Sequence, residues 1–167
     1  MKLQHISQAE FNQIEGVRRV IVHDCPHQFA LLDLGELLGH YGISWRSSPI
    51  IQPVIMPSKD ELTLWLGVDQ HLAAIDLQSG RLRLSMAMHE NIFNIFTMEF
   101  RTIVLTELEL LLFNNYDCSI ESIEDLPEIA AGMTVAGSDL VIGLIDGRSL
   151  TLNLETCKMQ EATLVHK

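Results

Sequence analysis

The chain has 167 residues, enough for one domain with a sizeable core. Apolar residues make up 47 % of it and the formal net charge is −11, which excludes a disordered polar chain and disfavours unassisted binding to nucleic acid or to an anionic membrane. There is no run of about 18 apolar residues, residues 1–8 hold no apolar signal core, and three widely spaced cysteines make no disulfide framework. The expectation is a single domain, 1–167, in a reducing cytoplasm.

The first element is signalled by Ser7-Gln-Ala-Glu10, which has the form of a capping box. It predicts a helix over about 8–15, with Ile6 and Phe11 placed for a hydrophobic staple and Gly16 as a left-handed stop. Arg18–His23 reads as a short strand. Gln28–Leu38 reads as a second helix: Leu31, Leu34 and Leu38 share one face, Pro26 fits the first turn, and Gly39 and Gly42 punctuate the end. Ser44–Pro49 reads as a loop, and Pro49, Pro53 and Pro57 mark a connector or edge segment. Residues 1–48 are thus a helix–strand–helix portion, and 49–167 a β-rich one.

From Glu61 onward the pattern is short strands and tight turns. Leu62, Leu64 and Leu66 alternate with Thr63, Trp65 and Gly67. Strands are expected at 71–77, 81–85, 91–97, 100–105, 108–113, 119–123, 133–136, 140–145, 149–154 and 159–164. Turns fall at Val68-Asp69-Gln70 and Gln78-Ser79-Gly80, and Asp125–Glu128 begins a connection. Asp146-Gly147 predicts a type I′ hairpin.

Three stretches look like copies of one another: Ile75–Arg81, Leu111–Ser119 and Leu152–Lys158. Gly80, Cys118 and Cys157 fall 38 and 39 residues apart, and Asp69 and Asp146 precede Gly80 and Cys157 by 11 each. A period near 40 built from short strands is a propeller-type signature. If Cys118 and Cys157 share the left-handed place of Gly80, each costs on the order of 1 kcal/mol relative to glycine. The segment Ala74–Gly80 resembles the aliphatic-Asp-Leu-x-Ser/Thr-Gly turn of quinoprotein-like and WD-type β-propeller blades. The resemblance covers roughly residues 61–165, or two to three blades, without the Trp-Asp and Gly-His signatures of WD blades. It implies a mainly β (α+β) fold: an antiparallel β-meander of blade-like hairpins with one or two N-terminal helices. Such an incomplete set must cover its sheet edges with those helices or with a second copy.

Chemistry-bearing residues are sparse. His23-Asp24-Cys25-Pro26-His27 is the one cluster of reactive groups. It reads first as a strand-to-helix turn in which Asp24 caps the helix. A thiolate nucleophile at Cys25, favoured by a helix N-terminus and a histidine, is a second reading, and a metal site of His23, Cys25 and His27 a third, although no zinc spacing is matched. His71 and His89 read as structural, Trp45 and Trp65 as core ahead of binding anchors, and Met86, Met88 and Met98 as gap fillers ahead of an adaptable docking patch. Trp65, out of phase with the leucines, is expected on the opposite sheet face. No Walker loop, GxGxxG, GxSxG or HExxH is present.

The charge is unevenly placed. Residues 102–147 carry nine acids and no lysine or arginine. Glu107, Glu109, Glu121, Glu124, Asp125 and Glu128 are taken as an acidic binding face, to which a basic protein partner would be steered. The expected function is non-catalytic protein binding, as in a bacterial immunity- or adaptor-type protein, with no cofactor, metal, nucleic acid or membrane. An oligomerisation domain, with incomplete blades paired in a homodimer, is the alternative, ahead of a Cys25 enzyme or metal site.

Overall fold

The computed structural model describes residues 1–48 and 50–161. These form four sheets of four strands each. Sheet 1 holds β1 (Lys2–His5), α1 (Gln8–Gln13) beside it, β2 (Arg19–Ile21), β3 (Gln28–Asp33) and β4 (His40–Trp45), in the order β1-β3-β4-β2. Sheet 2 is a meander of β5 (Val54–Pro57), β6 (Thr63–Val68), β7 (His71–Asp76) and β8 (Leu82–Ala87). Sheet 3 repeats it with β9 (Ile92–Thr97), β10 (Arg101–Thr106), β11 (Glu109–Asn114) and β12 (Ile120–Asp125). Sheet 4 does so again with β13 (Ala130–Ala136), β14 (Asp139–Leu144), β15 (Ser149–Asn153) and β16 (Lys158–Glu161). Pro49 and residues 162–164 of the last expected strand lie outside the described residues.

The helix begins where its capping box demands: the Glu10 amide donates to Ser7 Oγ at 3.2 Å and the Ser7 amide to Glu10 Oε2 at 2.7 Å. It ends at Ile14 with extended backbone, and Gly16 opens a 3-10 turn instead of a left-handed stop. Phe11 turns onto Phe29, ring centroids 5.3 Å apart, and onto Gly42. A Cβ at Gly42 would stand 2.9 Å from the Phe11 ring and 3.0 Å from Ile14 Cδ1, so glycine lets α1 lie on sheet 1.

The second expected helix is absent; Gln28–Leu38 contains β3 and the turn that follows it. Ala30 and Leu32, two residues apart, are the fully buried positions, so the operative period is 2. The leucine spacing is compatible with either period in so short a run. Gly42 lies inside β4 rather than ending a helix, and Ser44 and Trp45 complete that strand. Sheet 1 is the one sheet that is not a simple meander: β2 runs parallel to β4.

Three buried clusters glue the sheets in sequence. Ala30, Leu32, Ile43 and Trp45 of sheet 1 meet Leu64, Leu66, Ala73 and Ile75 of sheet 2. Trp65, Leu72 and Ala74 on the opposite face of sheet 2 meet Ile95, Val104, Leu111 and Phe113 of sheet 3. Ile103, Leu105, Leu110 and Leu112 on the other face of sheet 3 meet Leu140, Ile142, Leu150 and Leu152 of sheet 4. None of the three clusters contains residues of both sheet 1 and sheet 4. Each fully buried large apolar side chain contributes about 1.5–3 kcal/mol, so these contacts dominate the energetics. No helix among the described residues is long and apolar enough to cross a membrane.

The repeat is carried by one turn. Gly80, Cys118 and Cys157 have φ of 71°, 58° and 54°. Each donates its amide to the carbonyl four residues earlier, of Asp76, Asn114 and Asn153, at 2.8, 2.9 and 2.7 Å. The same three Asx side chains accept amides from inside the turn: Ser79 to Asp76, Tyr116 to Asn114 and Thr156 to Asn153. Sheet 1 supplies a related turn, in which Gly39 (φ 76°) bonds back to Gly35 and Asp33 accepts from the Gly35 amide. The expected type I′ hairpin is different: Asp146 keeps negative φ, and Gly147 alone is left-handed (φ 87°), in a longer connection closed by Leu144 and Arg148.

Candidate functional site

The strands have two ends. The turns with Gly39, Gly80, Cys118 and Cys157 gather at one, called the Gly80 end. The hairpins at Asp69-Gln70, Glu107-Leu108 and Ile145–Arg148 lie at the other, the Asp69 end.

The antiparallel register of β11 and β12 decides where the acidic residues go. It sets Glu109 opposite Asp125 and Leu110 opposite Glu124, all at the Asp69 end. Glu107, in the hairpin just before β11, and Glu128, just after β12, fall at the same end. Glu121, four residues before Asp125, is carried to the Gly80 end, where Arg101 Nε donates to its carboxylate at 2.6 Å and Asn114 at 2.9 Å. That bond from Arg101 holds the Glu121 carboxyl below the usual carboxylate range. Five of the six expected residues therefore share one end, and Glu121 is spent in an ion pair.

Glu90, in the link from sheet 2 to sheet 3, was not singled out by the sequence but joins this group. Its carboxyl is pushed up by a hydrogen bond with the Glu107 side chain and by the charges of Glu107 and Glu109. Glu107 in turn accepts from Asn91 Nδ2 at 3.0 Å. Arg148, the base at the neighbouring hairpin, is ion-paired with Asp146 at 2.6 Å. Like charges directly opposite on paired strands are unfavourable, and this end holds more carboxylates than the two arginines beside them, Arg46 and Arg148.

A depression beside this rim runs between sheets 1, 2 and 3. One part, about 370 Å³, is walled by Ile50, Ile51, Val54, Ile92 and Phe93 and edged by Asp69 and Glu107. The other, about 410 Å³, is lined by His23, His27, Arg46 and Gln70, and both share Ser47, Asp69 and Asn91. Burial opposes the ionisation of Asp69, but hydrogen bonds from Ser47 and from the Arg46 amide outweigh it and hold the carboxyl below its usual value.

The His23–His27 segment leads into a strand, so Asp24 caps no helix and no helix N-terminus faces Cys25. Cys25 is exposed at φ 51°. His23 meets a partner that the sequence did not suggest: its ring stands edge-on to His71, centroids 4.8 Å apart. Burial pushes the His71 pKa down, helped by the charge of His23 and opposed by Asp24 and Asp69. Among the described residues no group of three or more metal-ligating side chains could hold a metal ion. Trp45 and Trp65 are both fully buried in the clusters described above.

No family model matches this sequence, and no curated protein matches it. Similar folds are found among solved structures. Dihydro-heme d1 dehydrogenase NirN matches with TM-score 0.59 and 10 % identity, over 82 % of this chain and 33 % of that one. The computationally designed Ika4 protein matches with TM-score 0.57 and 12 % identity, over 72 % of this chain and 77 % of that one. The β-propeller domain of Cps50 (Swd1) from Myceliophteria thermophila matches with TM-score 0.54 and 11 % identity, over 70 % of this chain and 39 % of that one. The match thus spans about a third of NirN and two fifths of Swd1. At these identities the likeness concerns fold alone: four blade-like sheets with the architecture of part of a β-propeller.

Proposed function

We propose that this chain is a non-catalytic protein-binding module, of the adaptor or immunity type, that presents its acidic Asp69 end to a basic surface of a protein partner. The carrying observation is the cross-strand pair Glu109 and Asp125, two carboxylates set opposite each other with Glu124 and the Glu90–Glu107 pair close by. An arrangement that is unfavourable in isolation is relieved when a lysine- or arginine-rich surface covers it. The adjoining apolar walls at Ile50 and Phe93 offer the uncharged area that interface centres use. Propeller-like folds commonly serve protein interaction, which supports this class of function by analogy of fold.

Affinity capture at two salt concentrations tests the reading. Between about 0.05 M and about 0.5 M salt the Debye length shrinks from roughly 14 Å to roughly 4 Å. Partner capture that weakens steeply over this range is expected; equal capture at both salts rejects acidic steering as the driving force.

A further inference from the structure

We infer that a second pocket, at the opposite Gly80 end, receives an arginine side chain from a peptide segment of a partner protein. It is a cavity of about 450 Å³ between the turns of sheets 2 and 3, within the size range of ligand pockets. Its lining includes three carboxylates, Asp60, Asp76 and Glu99, one cation, Arg83, and two aromatic residues, Phe100 and Tyr116.

The charge of Arg83 favours the ionised forms of Asp60 and Asp76, but its hydrogen bonds go to other groups. Arg83 is tied down by donating to Thr63 Oγ1 and to the Tyr116 carbonyl. Asp60 and Asp76 each use Oδ1 to accept bonds within their own turns, from Ser58 and Leu62 and from Gln78 and Ser79. Three acids against Arg83, with Lys59 beside Asp60 and Glu99 in the adjoining hollow, leave the site with one net negative charge.

Two aromatic side chains border the cavity. Phe100 is 72 % and Tyr116 90 % exposed, yet both grow from a rigid support. Asn115, which precedes Tyr116 in the chain, is buried; its amide donates to the Phe100 carbonyl at 2.9 Å, its side chain donates to Met98 O at 3.0 Å, and Thr102 donates to its Oδ1 at 2.6 Å. The backbone beneath the two aromatic side chains is already ordered, so binding has to fix only their own χ angles. Carboxylates beside aromatic faces fit a planar guanidinium, which can bond the former in a bidentate manner and stack on the latter. The exposed flanks of the pocket suit neighbouring residues of a chain rather than a free cation.

Amide-resolved NMR titration with an acetylated, amidated Gly-Arg-Gly peptide tests this, with the citrulline peptide as neutral isostere and spermidine as free polyamine. Saturable shifts around Glu99–Arg101 and Asn115–Asp117 are expected with the arginine peptide alone. Glu99→Gln and Tyr116→Ala, both surface changes, are each expected to weaken binding about threefold, the scale of one exposed cation–π or ion contact. No saturation, an equal response to the citrulline peptide, a stronger response to spermidine, or unchanged affinity in both variants overturns the proposal. These outcomes leave the reading of the acidic Asp69 end untouched, because no residue is shared between the two ends.

Discussion

Tyr41 Oη donates to the Gly80 carbonyl at 2.9 Å, and a Cβ added at Gly80 would stand 2.5 Å from that same oxygen. The bond links sheet 1 to the turn that repeats in sheets 2, 3 and 4. Gly80→Ala is expected to cost about 2 kcal/mol, combining a left-handed φ with the displaced hydroxyl. In a Tyr41→Phe background the same change should cost only about 1 kcal/mol, since the clash is gone. Urea unfolding of the four proteins measures the coupling.

Trp65 is fully buried beside Phe113, yet its indole N–H has no hydrogen-bond partner among the described residues. Trp65→Ala removes the wall between sheets 2 and 3 and should cost about 3–5 kcal/mol. Trp65→Phe deletes the unpaired donor, whose burial costs about 1–3 kcal/mol, so it should cost far less than the alanine change. Denaturant midpoints followed by the remaining Trp45 check this.

The His71 pKa is lowered in the folded chain, so the unfolded chain binds more protons as pH drops below the ordinary histidine value of 6.5. Stability should therefore fall as pH is lowered through that value, with a slope no steeper than about 1.4 kcal/mol per pH unit for one proton. His71→Gln should flatten the profile between neutrality and the carboxylate range. Asp69 acts further down: its lowered carboxyl supports the fold above its ordinary value of 3.8, and that support is lost as pH falls below it. Thermal melts across pH separate the two.

Glu109 and Asp125 face each other across the β11–β12 ladder. Asp125→Lys converts the pair to opposite charges and should stabilise the chain by about 0.5 kcal/mol while weakening partner capture. A gain in stability with no loss of binding would detach this pair from function.

Much of the fold was legible, because turn chemistry is local. The left-handed Cys118 and Cys157 were deducible from their alignment with Gly80, and the opposite facing of Trp65 and its leucine neighbours follows from strand alternation. The error at Gln28–Leu38 has a physical source. Leu31, Leu34 and Leu38 are spaced for a helix, but Leu34 and Leu38 lie in the turn, where both pack on the sheet 1–sheet 2 core. That misreading hid the first sheet's copy of the turn, although Gly39 stands 41 residues before Gly80.

The acidic face was legible only as composition. Strand register sends Glu121 to one end and Asp125 to the other, and register is a tertiary fact. The approach of His23 to His71 and of Glu90 to Glu107 joins distant segments and leaves no local mark. The sequence pattern puts Phe100 at the start of a strand, and the structure places it in the turn before β10, exposed like Tyr116 in the turn after β11.

Charge reversal at one end, compared with the other, tests the central claim most directly. The double variant Glu109→Lys with Asp125→Lys alters the Asp69 end; Asp117→Lys with Glu155→Lys alters the Gly80 end by the same change in charge. Capture of the partner by the second variant and its loss in the first is the expected result. Equal capture by both, with both folded, would contradict it.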